Sequence, residues 1–229
     1  RLSSTGVGVW ARTLRTGAFV VLYGTDPKRL DQAAGSVKTQ LARDNTGWIH
    51  VTGLKPNTKY YYELRIQGSR GRSGRRGSFR TLPNTGDYVD PKLNSRGLFN
   101  FKFEFACGNN QNPKHSSGPA LPTFRTMLRE IADDINFAIL NGDWMYEVRR
   151  DYSPGQWLGQ VNVPQNRLPD VVKVAPSITG VWENYKFFLD QGAPLREWHR
   201  NVPSFFTYDD HECLNDIWGA GTPGLRDRR

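Results

Sequence analysis

The sequence predicts a β-sandwich followed by an incomplete α/β domain. Three observations carry that expectation. Up to about residue 82 the chain offers short runs rich in Val and aromatic residues, separated by turn residues at regular spacing, the pattern of an antiparallel sandwich. From Phe99 onward, strand, helix and strand signals alternate, the pattern of a layered α/β domain. Between the two, residues 83–98 (PNTGDYVDPKLNSRGL) are rich in Pro, Gly, Asn and Asp without periodicity and read as a linker. The expected division is therefore 1–82, 83–98 and 99–229. A chain of 229 residues, 37% of them hydrophobic, suits one large domain or two small ones.

The first part justifies itself element by element. Val7 and Val9, then Phe19–Tyr23, have strand composition. Gly24-Thr-Asp-Pro27 is a turn, and Gly47–Thr52 is another strand. The stretch GLKPNTKYYYEL places a Pro-Asn turn before an alternating aromatic strand. With the following GSFRTLP it resembles the end of a fibronectin type III-like module. Tyr60, Tyr61 and Tyr62 are expected to pack on both faces of their strand.

The second part reads as strand Phe101–Ala106, helix Leu121–Asp134 and strand Phe137–Leu140. Leu121, Phe124, Leu128 and Ile131 recur at helical spacing. Residues 148–180 contain Pro154, Pro164, Pro169 and Pro176 and are expected to be an irregular insertion that rims a site. Trp182–Arg200 is expected to be helical, with a break near Gly192-Ala-Pro194, and Pro203–Tyr208 to be the third strand.

All three strands end on polar groups. They run into Cys107-Gly-Asn-Asn, Asn141-Gly-Asp143-Trp-Met-Tyr146 and Asp209-Asp210-His211-Glu212. In open α/β sheets the carboxyl ends of the strands are where ligands sit. Taken singly, Cys107 reads as a buried thiol, Tyr146 as packing, His211 as a satisfied histidine and Asp209-Asp210 as capping or loop solvation. Together, a thiolate, a carboxylate and a phenolate are hard to bury unless a cation holds them. Thiolate with phenolate favours a trivalent iron. Additional carboxylate and amide oxygens favour a second, harder ion such as calcium, with Asp143 bridging the two.

Phe105-Ala-Cys-Gly-Asn, Asn141-Gly-Asp-Trp-Met-Tyr-Glu and Tyr208-Asp-Asp-His-Glu…Asn-Asp resemble, in order, three motifs of the alkaline phosphatase D (PhoD-like) family. These are four-layer metallophosphoesterases with an N-terminal fibronectin-like domain. The resemblance implies Cys107, Asp143 and Tyr146 around Fe3+, and Asp210 and Asn215 at Ca2+ with Asp143 shared. It implies His211 as the catalytic acid or hydrogen-bond donor at the phosphate, and a secreted or periplasmic location. It also implies a basic residue that contacts phosphate. Lys186 in WENYKFF is the nearest match, with Arg149 and Arg150 as rivals. The family's last Asp/His motif is absent here. The chain opens inside a strand pattern and closes on LRDRR. It is therefore expected to be a fragment that alone is a poor catalyst and a weak metal binder, and the absence of a signal peptide says nothing of destination.

The net charge of +9 invites an anionic partner, but much of it is local: Arg70, Arg72, Arg75, Arg76 and Arg80 fall within one stretch. The competing reading is therefore a non-catalytic module that binds anionic surfaces or polymers through that loop. The loop ahead of Phe79 lacks interleaved aromatics, which argues against nucleic acid except as a phosphodiester substrate. No apolar run approaches the ~18 residues of a membrane span. The two cysteines make no disulfide framework. Cys213 is assigned to packing.

Overall fold

A computed structural model describes residues 1–67, 74–87, 89–97 and 101–212. The first half holds β1 (Gly6–Arg12), β2 (Ala18–Gly24), β3 (Gln32–Lys38), β4 (Thr46–Thr52), β5 (Lys59–Ile66) and β6 (Arg75–Arg80). β1 pairs with β4, and β3-β2-β5-β6 form a second sheet, with every pairing antiparallel. Alternate residues of the two sheets, among them Val7, Val9, Phe19, Val21, Ile49, Val51, Tyr60, Tyr62 and Phe79, meet in one core, as the two-residue period of a strand requires. Tyr60 stacks on Phe79 at 5.6 Å, while Tyr61 is half-buried.

The second half holds β7 (Phe103–Ala106), α1 (Pro122–Glu130), β8 (Phe137–Asn141), α2 (Pro154–Val161), α3 (Asp170–Val174), α4 (Ile178–Gln191), α5 (Ala193–Asn201) and β9 (Ser204–Thr207). The sheet order is β7-β8-β9 and both pairings are parallel, so all three carboxyl ends share one edge. One face of this sheet carries Ala138 and Leu140 into a core with Phe124, Phe188, Leu195 and Trp198. The other presents Phe103, Phe105 and Phe205 to solvent around Phe137. A parallel sheet is ordinarily covered on both faces.

Two expectations need correction. Two strands at the site are shorter than read: β7 starts at Phe103 rather than Phe101, and β9 leaves out Pro203 and Tyr208, whereas β8 runs one residue further, to Asn141. Residues 148–180 are also not irregular. Ser153 starts α2 with a reciprocal cap: its hydroxyl accepts the N–H of Gln156, and the Gln156 side chain accepts the N–H of Ser153. Trp157, Leu158, Val161 and Val172 then form a core of their own, which packs on Leu41 of the first half. The predicted break between α4 and α5 at Gly192 is present.

The halves are joined by specific polar contacts. The Tyr62 hydroxyl donates to the carbonyl of Arg200 at 3.1 Å, and the Ser78 hydroxyl to the Asn201 side chain at 3.0 Å. Asp44, 3% exposed, accepts two bonds from Arg12 and one from the Trp157 indole at 2.7 Å. Among the described residues no helix is long and apolar enough to cross a membrane.

Candidate metal centre

The sequence makes each strand turn sharply at the shared edge. β7 leaves through Gly108 (φ 74°), and β8 leaves through Gly142 (φ 76°) and Asp143 (φ 52°). Gly142 is required there. A Cβ would overlap that of Asp209 and lie 2.8 Å from its backbone nitrogen. A left-handed non-glycine residue such as Asp143 is costly and collects at functional sites. The backbone N–H of Asn109 then donates to the carbonyl of Asp143 at 2.7 Å, tying the first strand end to the second.

The result is two overlapping groups of ligand atoms. One atom each from Cys107, Asp143 and Asp209 lie within 4.8 Å of one another, and so do atoms from Asp143, Asp210 and His211. Asp143 belongs to both. The Tyr146 hydroxyl donates to Oδ2 of Asp143 at 3.4 Å, and its ring lies 4.1 Å from that of His211. Cys107 is exposed at this edge rather than turned into a core. Cys107, Asp143, Tyr146, Asp210 and His211 thus come together. Asn215 and Cys213 lie outside the described residues, as do Arg70 and Arg72.

Lys186 does not join them. Its ammonium is held by Glu183 at 3.0 Å, by Asp44 at 3.5 Å and by the Gln160 side chain. Arg149 is exposed, with its guanidinium 5.0 Å over the Phe187 ring. Arg150 is a structural tie, donating to the carbonyls of His211 at 2.7 Å and Glu212 at 3.1 Å. In the Arg-rich stretch, Arg76 is paired with the buried Glu63.

Three residues received no role from the sequence. Asp209, read as capping, is a member of the first group. Glu147 accepts from Nδ1 of His211 at 2.8 Å, which makes Nδ1 the protonated nitrogen and leaves Nε2 for another partner. Glu212 is buried and binds backbone rather than the cluster. All three lie inside the motifs, beside residues that were singled out, but residue type alone does not separate a ligand from its support.

The electrostatics fit a cation. Burial, then the charges of Asp143, Asp209 and Glu212, raise the proton affinity of Cys107. Burial, against the pull of His211, and then Asp210, Asp209 and Glu212 do the same to Asp143. Burial and Asp143 push Tyr146 up to about 12. His211 is also raised: burial opposes its charge, but Glu147, Asp143 and Asp210 outweigh it. Oδ1 of Asp143 is buried without a hydrogen-bond partner among the described residues. Crowded anions with an orphaned oxygen are the donor set a metal ion satisfies.

Residues 101–228, more than half of the chain, match the family described as PhoD-like phosphatase. The chain is similar to the solved structure of PhoD, with a TM-score of 0.65 and 18% identity, over 94% of this chain and 38% of that one. It also matches purple acid phosphatase PPD1 from yellow lupin (Lupinus luteus) seeds, with a TM-score of 0.48 and 15% identity, over 91% of this chain and 34% of that one. A third match is the fn3 domain of human contactin 1, with a TM-score of 0.29 and 19% identity, over 39% of this chain and 76% of that one. No curated protein matches. The likeness to PhoD shows a shared fold over nearly all of this chain, which spans 38% of that protein's length.

Proposed function

The chain belongs to the PhoD-like phosphatase family, and from that membership we propose that it serves metal-dependent hydrolysis of phosphate mono- or diesters. The observation that carries the reading is Asp143, whose carboxylate is common to two groups of ligand atoms at one sheet edge. We assign an iron(III) position to Cys107, Asp143 and Tyr146, with Asp209 in reach, because anionic thiolate and phenolate donors suit a trivalent, Lewis-acidic ion. A harder ion such as calcium suits Asp210 and Asp143. Ions bound there would supply the positive charge that polarises a phosphoryl oxygen and activates attacking water. The domain division at 83–98 rests on the composition of that stretch, and a location outside the cytoplasm rests on the family resemblance.

The chain's own residues account for the remaining steps. His211, held as the imidazolium by Glu147 with its Nδ1–H anchored there, would donate its Nε2 proton to the departing ester oxygen and be left as the neutral imidazole. Arg149 is the phosphate contact we favour, being exposed where Lys186 and Arg150 are engaged. Its planar fork suits two phosphoryl oxygens. Cys107, Asp143 and Tyr146 all hold protons more tightly than usual, and a cation has to displace them, so ion binding strengthens as pH rises. The described donors fall short of the ~6 oxygens a hard ion takes, so binding by this chain is expected to be weak and turnover low.

The test is hydrolysis of p-nitrophenyl phosphate and bis-p-nitrophenyl phosphate with iron and calcium supplied. Turnover should be abolished by chelation and by Asp143→Asn. Turnover that survives both would overturn the assignment.

A further inference from the structure

We propose that Glu212 is the positioning residue that sets the spacing between Asp143 and the Asp209–Asp210 pair, so that the cation site is shaped before an ion arrives. The proposal deepens the metal-dependent reading above and rests on it.

Glu212 is 6% exposed, and both of its carboxylate oxygens are committed to backbone. Oε1 accepts the N–H of Trp144 at 2.6 Å. Oε2 accepts the N–H of Asp143 at 3.1 Å and that of Asp209 at 2.8 Å. One side chain therefore binds the end of β8 and the end of β9 together. The bonds answer a need created by the turn. With Gly142 and Asp143 both at positive φ, the N–H groups of Asp143 and Trp144 leave the sheet ladder and require an acceptor. Successive amides presented this way form a concavity that attracts anions, and Glu212 fills it from within the protein.

The consequence is electrostatic. Asp143 and Asp209 bring ligand atoms within 4.8 Å of each other and of Cys107, although like charges so placed repel. Before a cation arrives, the backbone has to hold them there. Glu212 does so through three amides, and its commitment to them removes it from the ligand set. Arg150 steadies the same loop from the other side, through the carbonyls of His211 and Glu212.

The test is Glu212→Gln, which keeps the shape but replaces one acceptor oxygen by a donor that faces backbone N–H. Each protein is titrated with Co2+, whose charge-transfer absorption with a thiolate reports the geometry at Cys107. The variant should bind Co2+ about 10- to 100-fold more weakly, with a weaker band at saturation and an unchanged far-ultraviolet circular dichroism spectrum. Amide exchange without metal should show Asp143, Trp144 and Asp209 protected in the unaltered chain and faster in the variant. Equal Co2+ affinity and band intensity in the two proteins would overturn the proposal alone. A lack of Co2+ binding by the unaltered chain would overturn the metal reading and the proposal with it. If Glu212→Gln does not fold, Arg150→Lys replaces it as the way to loosen the loop. Weaker Co2+ binding then supports the proposal, and unchanged binding overturns it.

Discussion

His199 should make the protein sensitive to mild acid, and the size of the effect follows from its surroundings. The imidazole lies between the rings of Trp144 and Phe206, at 5.8 Å and 5.4 Å. Nε2 accepts the Trp144 indole N–H at 3.0 Å, Nδ1 faces the Ser204 hydroxyl at 3.3 Å, and that hydroxyl donates to the carbonyl of Val202. This chain of bonds is satisfied by neutral histidine protonated on Nδ1. A second proton would set N–H against the indole N–H. Burial pushes the group down from 6.5 to about 4. The unfolded chain therefore binds the proton more readily, so the stabilising contribution is complete above pH 6.5 and is lost as pH falls toward 4. At about 1.4 kcal/mol for each tenfold change the full effect is about 3 kcal/mol, of which about 2 kcal/mol is gone by pH 5. The assay is urea unfolding of the unaltered chain and His199→Gln at pH 7, 6 and 5. Carboxylates titrate in both proteins, so the difference between the curves isolates the imidazole. The variant should start less stable and lose about 2 kcal/mol less over this range. Parallel curves would show that His199 takes up no proton on unfolding over this range.

Gly142→Ala should cost about 2 kcal/mol or more, since the residue is left-handed and its Cβ would press on Asp209. Thermal unfolding would register the loss, and Co2+ binding should weaken with it. Asp44→Asn should cost about 2 kcal/mol in urea unfolding, because Asp44 joins Arg12, Trp157 and Lys186 across the two halves. Asparagine tolerates the φ of 51° found there, so the measured loss belongs to the lost charge and acceptor oxygen rather than to backbone strain.

The strand ends were the most legible part of this molecule. Short apolar runs that stop at Cys107, Gly142 and Asp209 announced a common edge, and the parallel order β7-β8-β9 supplies it. Helical spacing located α1 and its inward-facing Phe124 and Leu128, but the helix stops at Glu130 rather than Asp134, and Leu121 and Ile131 flank it as cap residues packed on the same core. The residues that escaped notice act through geometry that spacing does not encode. Glu212 binds amides that exist as free donors only because Asp143 is left-handed. Asp209 and Asp210 are identical in type, and the direction of the chain past β9 decides what each reaches. Lys186 was named as a phosphate contact because the resemblance asks for a basic residue ahead of the third motif, and its partner Asp44, far off in sequence, gave no warning. The four prolines of 148–180 concealed helices because proline at a first helical turn starts a helix as readily as proline elsewhere breaks one. The S-x-x-Q signature at Ser153 was the available signal.

Asp143 is proposed to serve two ion positions. The most direct measurement is an equilibrium Co2+ titration of the unaltered chain, Asp143→Asn and Asp210→Asn, carried to millimolar metal and read by both stoichiometry and thiolate absorption. The unaltered chain should bind two ions, Asp210→Asn one ion with the thiolate band retained, and Asp143→Asn neither ion, with the band lost. Two ions bound by Asp143→Asn with undiminished affinity would contradict that role.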